Sequence, residues 1–447
     1  MKDFDCIILQ KNQSCLFIQE ANGHFFHFLI ENSNFKDLSS QITKIKTFKF
    51  IGQSFVLDSL IQSFPQLKVK IEKSLFPINE LEILFNSQNG QIKVSKEAAK
   101  IEKKRKVLIV DDSKTIQKLI SKIISTSSEL EVMAIANDPE EAIQIIDQMR
   151  PDIITLDLHM PKQTGLEFLK GYLNGKHIPV VMISSVSLSE GPQIIDALSS
   201  GALDYIQKPS FDSLDVVAPL IIQKLETLSR IKVDFQSKNL LTSKPVIRFQ
   251  DTDGLIAIGS STGGTQALQE IFTQLPAQIP PIVVTQHIPP VFSKALADRL
   301  NSLCPFLVKE AEDGEILKPN TVYIAPGGKQ FKLRKEGSIK RVVITNDAPV
   351  NRFIPSVDYL FNSLVDLKEK NLVAFILTGM GKDGAQGLLK LKKAGATTIA
   401  QSEKGCIVFG MPREAINLEA HCHIIELKSI PSKMVEIYNC KKIKKAS

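Results

Sequence analysis

No run in this chain approaches the roughly 20 consecutive apolar residues that a membrane-spanning helix requires, so no membrane insertion is expected. No signal-like segment opens it, and its six cysteines, at positions 6, 15, 304, 406, 422 and 440, include no C-x-x-C spacing. A reducing, cytoplasmic setting is expected, not a disulfide-built fold. His421 and His423 flank Cys422, but without a second ligand cluster to close a tetrahedral metal site the three are read as structural. Neither a helix-turn-helix nor an aromatic-and-basic RNA signature occurs. The formal charge of +7 over 447 residues is modest and is partly gathered in Lys103 to Lys106 and in Lys441, Lys442, Lys444 and Lys445. Such runs are solvated linkers or tails, and no nucleic-acid partner is expected.

What is present is enough for several cores. A hydrophobic content of 43% excludes general disorder, and the length predicts two to four domains, since single cores stop growing near about 250 to 300 residues. Residues 1–104 are expected to form a small α+β module without evident chemistry. Phe4–Leu9, Phe25–Ile30 and Thr47–Ile51 have strand character, Phe55–Phe64 helix character, and His24 and His27 join no ligand cluster. Residues 96–105 are polar and charged, as a linker would be.

From Lys106, short apolar runs alternate with helical patterns at βα spacing, which implies a doubly wound parallel sheet. The strands are Val107–Val110, Val132–Ala136, Ile153–Leu156, Val180–Ile183 and Tyr205–Gln207. Asp111 and Asp112 end the first, Asp157 the third and Lys208 the fifth, so they converge on the carboxyl edge where open α/β sheets place their sites. Three crowded carboxylates repel unless a hard cation sits among them, and Mg²⁺ takes one or two carboxylates plus phosphate oxygens. Plain storage of Mg²⁺ or Ca²⁺ is the rival reading, although dedicated sites of that kind keep their ligands on one loop.

A second α/β series follows a polar connector at residues 226–250. It begins with the apolar run from Leu255, a corner Gly259-Ser260-Ser261-Thr262-Gly263 and a helical pattern from Thr265. The corner fits G-x-S-x-G, in which small neighbours let a strained turn lift the central serine clear of the backbone, making Ser261 a candidate nucleophile. A phosphate-cradling turn is the alternative, but no G-x-G-x-x-G, ribose-binding acid or Gly-Lys-Ser/Thr accompanies it. His287 ends the strand after Pro281, and Pro289 and Pro290 then force a turn. Asp383 lies in a second glycine-rich corner after the strand from Leu372. A serine, a histidine and an aspartate at one sheet edge can meet as nucleophile, base and orienting group. The order Ser, His, Asp differs from that of α/β-hydrolases, which points to a separate doubly wound fold. Backbone N–H groups of the corners, Met380 included, are candidate oxyanion donors.

Residues 105–225 resemble response-regulator receiver domains. The resemblance implies that Asp157 accepts a phosphoryl group, that Asp111, Asp112, Asp157 and the His159 carbonyl hold Mg²⁺, and that Lys208 contacts the phosphoryl group while Ser184 and Tyr205 form the switch. Over residues 251–440 the segments Gly259–Gly264, Thr285–Pro290, Glu310–Glu315, Tyr323–Gly327, Leu377–Ala385 and Val408–Ala415 are similar to the chemotaxis protein-glutamate methylesterase (CheB) family, in which a receiver precedes the catalytic domain. That resemblance implies hydrolysis of glutamate γ-methyl esters on methyl-accepting chemotaxis receptors, deamidation of receptor glutamines, phosphorylation by the chemotaxis histidine kinase, and no cofactor for the esterase step. Ser260 stands where the family usually has alanine, and the first hundred residues lie outside its pattern. A receiver-linked esterase for small molecules and a non-enzymatic phospho-dependent binding module are the rivals.

Overall fold

The computed structural model describes residues 104–446 apart from 186, 188–189, 210–213, 232–247 and 251, together with six strands between residues 6 and 93. The chain divides into two compact units, Met1–Lys103 and Lys104–Ser447. In the first, β1 (Cys6–Lys11), β2 (Ser14–Ala21), β3 (His24–Ile30), β4 (Thr47–Gly52), β5 (Leu81–Asn86) and β6 (Gln91–Lys93) form one sheet in the order β3-β2-β1-β4-β5-β6. Only the β1–β4 pair is parallel. The expected helix at Phe55–Phe64 and most of the linker lie outside the described residues.

The second unit contains two parallel sheets. β7 (Arg105–Val110), β8 (Leu130–Ala136), β9 (Ile153–Asp157), β10 (Val180–Ser184) and β11 (Asp204–Gln207) run in the order β11-β10-β9-β7-β8. Val107 to Val110 are wholly buried, as is typical of parallel strands covered on both faces. Arg105, read from sequence as the end of the linker, is the first residue of β7. The helix after β11 spans Leu214–Leu228, so the expected connector opens with helical residues.

The larger sheet is built from β12 (Leu255–Ser260), β13 (Ile282–Gln286), β14 (Leu307–Glu310), β15 (Thr321–Ile324), β18 (Leu372–Ile376), β19 (Thr397–Gln401) and β20 (His423–Ile425) in the order β14-β15-β13-β12-β18-β19-β20. All its pairs are parallel. Leu372, Val373, Phe375 and Ile376 are almost fully buried, each worth about 1.5–3 kcal/mol of transfer free energy. An antiparallel hairpin, β16 (Gln330–Glu336) with β17 (Ile339–Thr345), interrupts the βα series. It was not anticipated, although Phe331 and Leu333 alternate with polar residues as half-buried strands do.

The two sheets of this unit share a packed boundary. Gln266 Nε2 donates to the carbonyls of Leu198 and Ala202 at 2.8 Å each, and Thr262 Oγ1 donates to Asp204 Oδ2 at 2.6 Å. The Tyr205 ring meets Phe292 edge to face, with centroids 5.0 Å apart.

Candidate active site

β12 lies between β13 and β18, so the residues that follow these three strands emerge side by side at one carboxyl edge. Ser260 pairs with Gln286 in register, which sets Ser261 beside His287; the His287 N–H donates to the Ser260 carbonyl at 3.0 Å. The corner can be this tight because its glycines have no side chain. A Cβ on Gly259 would come 2.2 Å from Val357 Cγ1, and Gly263 has φ +78°. A Cβ on Gly379 would lie 2.7 Å from that of Ser261. The corner after β18 is thus pressed against the serine.

Asp383 is wholly buried and accepts five hydrogen bonds. Its Oδ2 takes His287 Nε2 at 2.8 Å and the Val357 N–H at 2.7 Å. Its Oδ1 takes Asn351 Nδ2 and Ser356 Oγ, each at 2.8 Å, and the Asp358 N–H at 3.3 Å. Burial works against its charge, but the His287, Asn351 and Ser356 donors outweigh it and hold the carboxyl below its ordinary range. A permanent anion is therefore fixed against one ring nitrogen. The other nitrogen, His287 Nδ1, is buried without a hydrogen-bond partner. Among the described residues Ser261 Oγ also makes no hydrogen bond, so the structure joins His287 to Asp383 and brings Ser261 alongside without a serine–histidine bond.

Ser260 is turned inward. It is fully buried and donates to Gln286 Oε1 at 2.6 Å, while Gln286 Nε2 donates to the carbonyls of Ser261 and His287 at 2.9 and 3.1 Å. The side chain that departs from the family pattern braces the corner from below. The Gly379 N–H is spent on the Val408 carbonyl, whereas that of Met380 makes no hydrogen bond among the described residues and can serve an oxyanion. Sequence reasoning passed over Gln286, Asn351, Phe353 and Ser356. Gln286 sits next to His287 and Ser356 caps the helix Val357–Asp366, signals that could have raised them; nothing local marks Asn351 or Phe353.

Ligand oxygens of Asp111, Asp112 and Asp157 lie within 4.8 Å of one another. Lys208 Nζ is 2.7 Å from Asp157 Oδ2 and 3.3 Å from Asp111 Oδ2. Neither oxygen has a well-directed hydrogen bond, so the ammonium meets both as a charge more than as a donor. Burial and then the Asp157 charge push Asp111 up to about 6, and burial raises Asp157 against the pull of Lys208. Three carboxylates answered by one ammonium leave an excess of negative charge that a divalent cation neutralises, so this donor set fits Mg²⁺. The His159 side chain points elsewhere, with Nε2 3.3 Å from Glu190. Ser184 Oγ is buried without a partner at the end of β10, and Tyr205 packs on Phe292 as described.

A cleft of about 1040 Å³ runs between the two halves of the unit, lined by Glu129, Glu226 and Arg230 on one side and Met380, Lys382 and Arg413 on the other. Among the described residues no helix is long and apolar enough to cross a membrane.

A family model for the response regulator receiver domain matches residues 107–218, and one for CheB methylesterase matches residues 256–434. Proteins named protein-glutamate methylesterase/protein-glutamine glutaminase from Salmonella typhimurium strain LT2 and Escherichia coli strain K12 are each 40% identical over 339 residues, 74% of this chain and 96% of theirs. Among solved structures, the CheB methylesterase catalytic domain of Thermotoga maritima is 40% identical, covering 41% of this chain and 98% of that one, with a TM-score of 0.40. The response regulator domain of CheB from the same organism is 31% identical, covering 29% and 100%, with a TM-score of 0.27.

Proposed function

The chain belongs to the CheB methylesterase family, and on that footing we propose that it hydrolyses glutamate γ-methyl esters on chemoreceptors, releasing methanol, and deamidates receptor glutamines, under the control of phosphorylation by a histidine kinase. The observation that carries this reading is the His287–Asp383 pair held beside Ser261. Residues 105–225 are the receiver, 226–250 the connector and 251–440 the catalytic domain.

With Nε2 committed to Asp383, Nδ1 is the nitrogen left to take the Ser261 proton. The alkoxide attacks the ester carbonyl, the Met380 N–H stabilises the oxyanion, and His287 returns its proton to the departing methanol. Water then repeats the sequence on the acyl-serine and frees the glutamate. Since Asp383 keeps its charge well into the acid range, the acid limb belongs to the imidazole. Methanol release from methylated receptor membranes should fall with unit slope on acidification, as an imidazole that has taken up one proton can no longer accept that of Ser261. A slope of two, or faster turnover of a generic chromogenic ester than of receptor esters, would move the substrate assignment to small molecules or bring a second group into the chemistry.

In the receiver, Asp111, Asp112, Asp157 and the His159 carbonyl would hold Mg²⁺, which when bound screens the charge on an incoming phosphoryl group. Asp157 supplies the nucleophilic oxygen and Lys208 the compensating charge, while Ser184 and Tyr205 report the change. Tyr205 already touches the catalytic side through Phe292, and its neighbour Asp204 is bonded to Thr262, next to the serine. Phosphorylation that withdraws Tyr205 loosens this boundary. Gln266→Ala removes two docking hydrogen bonds worth about 1 kcal/mol each. The basal rate without phosphodonor is expected to rise about 10- to 30-fold, up to the ceiling set by the phosphorylated protein. An unchanged basal rate would separate this boundary from control of the esterase.

A further inference from the structure

We infer that the turn Val350–Phe353 is a positioning clamp for the catalytic imidazole, with Asn351 as its chief residue; this rests on the reading of His287 and Asp383 as general base and orienting acid. The turn closes on itself through hydrogen bonds from the Val350 N–H to the Phe353 carbonyl at 3.1 Å and back at 2.8 Å. Its two central residues, Asn351 and Arg352, have φ of +53° and +71°. That is the pattern of a turn that usually takes Asn and then Gly, so an arginine there holds a left-handed backbone that side chains disfavour. Buried Gln330 fastens the base, donating to the Ala348 and Phe353 carbonyls and accepting from the Ser356 N–H.

From this anchored turn two side chains reach the site. Asn351 Nδ2 donates at 2.8 Å both to Asp383 Oδ1 and to Asp358 Oδ2. Its two hydrogens thus link two buried carboxylates that repel each other, and no carboxylate or hydroxyl could serve both. Asp358 is fixed in turn by the Gly387 N–H at 2.6 Å. Two residues on, the Phe353 ring lies flat on His287, centroids 3.7 Å apart and planes 6° from parallel. The edge of the imidazole is set through Asp383 and its face by Phe353, so a single turn fixes both the tilt and the rotation of the ring that must present Nδ1 to Ser261. The acids facing the imidazole are Asp383 directly and Asp358 behind it. The exposed cations adjoining Asn351 and Asp383 in the chain are Arg352 and Lys382.

The test uses the full chain carrying Asn351→Gly, which suits the left-handed backbone and removes the side chain with its amide. The turnover number for methanol release should fall on the order of 10- to 100-fold with little change in KM. Asp383, short of one donor, becomes a stronger acceptor for the imidazolium, so His287 should titrate at higher pH by NMR in a Ser261→Ala background. Phe353→Leu keeps an apolar cover but no flat ring and should lower turnover without moving KM. Wild-type turnover and an unmoved His287 titration in a folded Asn351→Gly chain would overturn the clamp, as would a rate that drops only in step with the folded fraction. Should that variant fail to fold, wild-type turnover in Phe353→Leu would overturn it equally. Because the NMR titration needs no substrate, it still decides the clamp if the parent releases no methanol, an outcome that would instead reject the esterase reading.

Discussion

Ser261→Ala is expected to reduce methanol release from methylated receptor membranes by about 10⁴- to 10⁶-fold, leaving only what the oxyanion donor and substrate binding supply. The expectation follows from how completely the fold is arranged around this one oxygen. Three adjacent strands end at it, Gly379 leaves room beside it while Gly259 and Gly263 let its corner pack against Val357 and Ile407, and Ser260 and Gln286 brace it from below. Removing Oγ leaves that frame intact, because Ser261 Oγ makes no hydrogen bond among the described residues; thermal stability should stay within about 0.5 kcal/mol of the parent. Adding His287→Ala to Ser261→Ala should cost little more, since nucleophile and base act as one unit. Methanol release by the single variant within tenfold of the parent would take Ser261 out of the mechanism, and a further large loss in the double variant would make His287 an independent catalyst.

The residues at the heart of this arrangement were legible because each announces itself locally. Ser261 and Asp383 stand in glycine-rich corners and His287 precedes two prolines, so their positions at strand ends follow from periodicity and punctuation alone. Asp111, Asp157 and Lys208 were legible for the same reason. What periodicity does not carry is the assignment of ring nitrogens: that Nε2, not Nδ1, takes Asp383 depends on where the corner after β18 comes to rest. Asn351 and Phe353 were invisible because they reach the site from the turn between the β16–β17 hairpin and the helix Val357–Asp366, by a path that no local pattern encodes. The Tyr205–Phe292 contact was hidden likewise, being a product of docking two separately patterned α/β series. The family resemblance accounted for neither the hairpin nor the inward turn of Ser260, which became explicable only once Gln286 was seen to receive it.

Asp157→Asn should abolish labelling of the chain by a small phosphodonor, whereas the parent takes up one phosphate per chain. In the proposed transfer a carboxylate oxygen of Asp157 forms a bond to phosphorus as the donor's leaving group departs, yielding an acyl phosphate. A carboxamide lacks the charge to do this. The variant should keep its basal esterase rate and lose all stimulation by phosphodonor. Stability provides a second readout that needs no phosphate. Asp111 is raised to about 6 by burial and by the Asp157 charge, so with a chelator present the folded chain binds more protons than the unfolded one between about pH 4 and 6, and stability is lost as pH rises through that window. Removing the Asp157 charge relieves part of that cost, on the order of 1 kcal/mol, so the variant should be more stable than the parent above pH 6 and indistinguishable from it near pH 4. A variant labelled as well as the parent would move the phosphoacceptor elsewhere. One destabilised at pH 7 would mean that the Lys208–Asp157 pair, at 2.7 Å, outweighs the repulsion between the two acids.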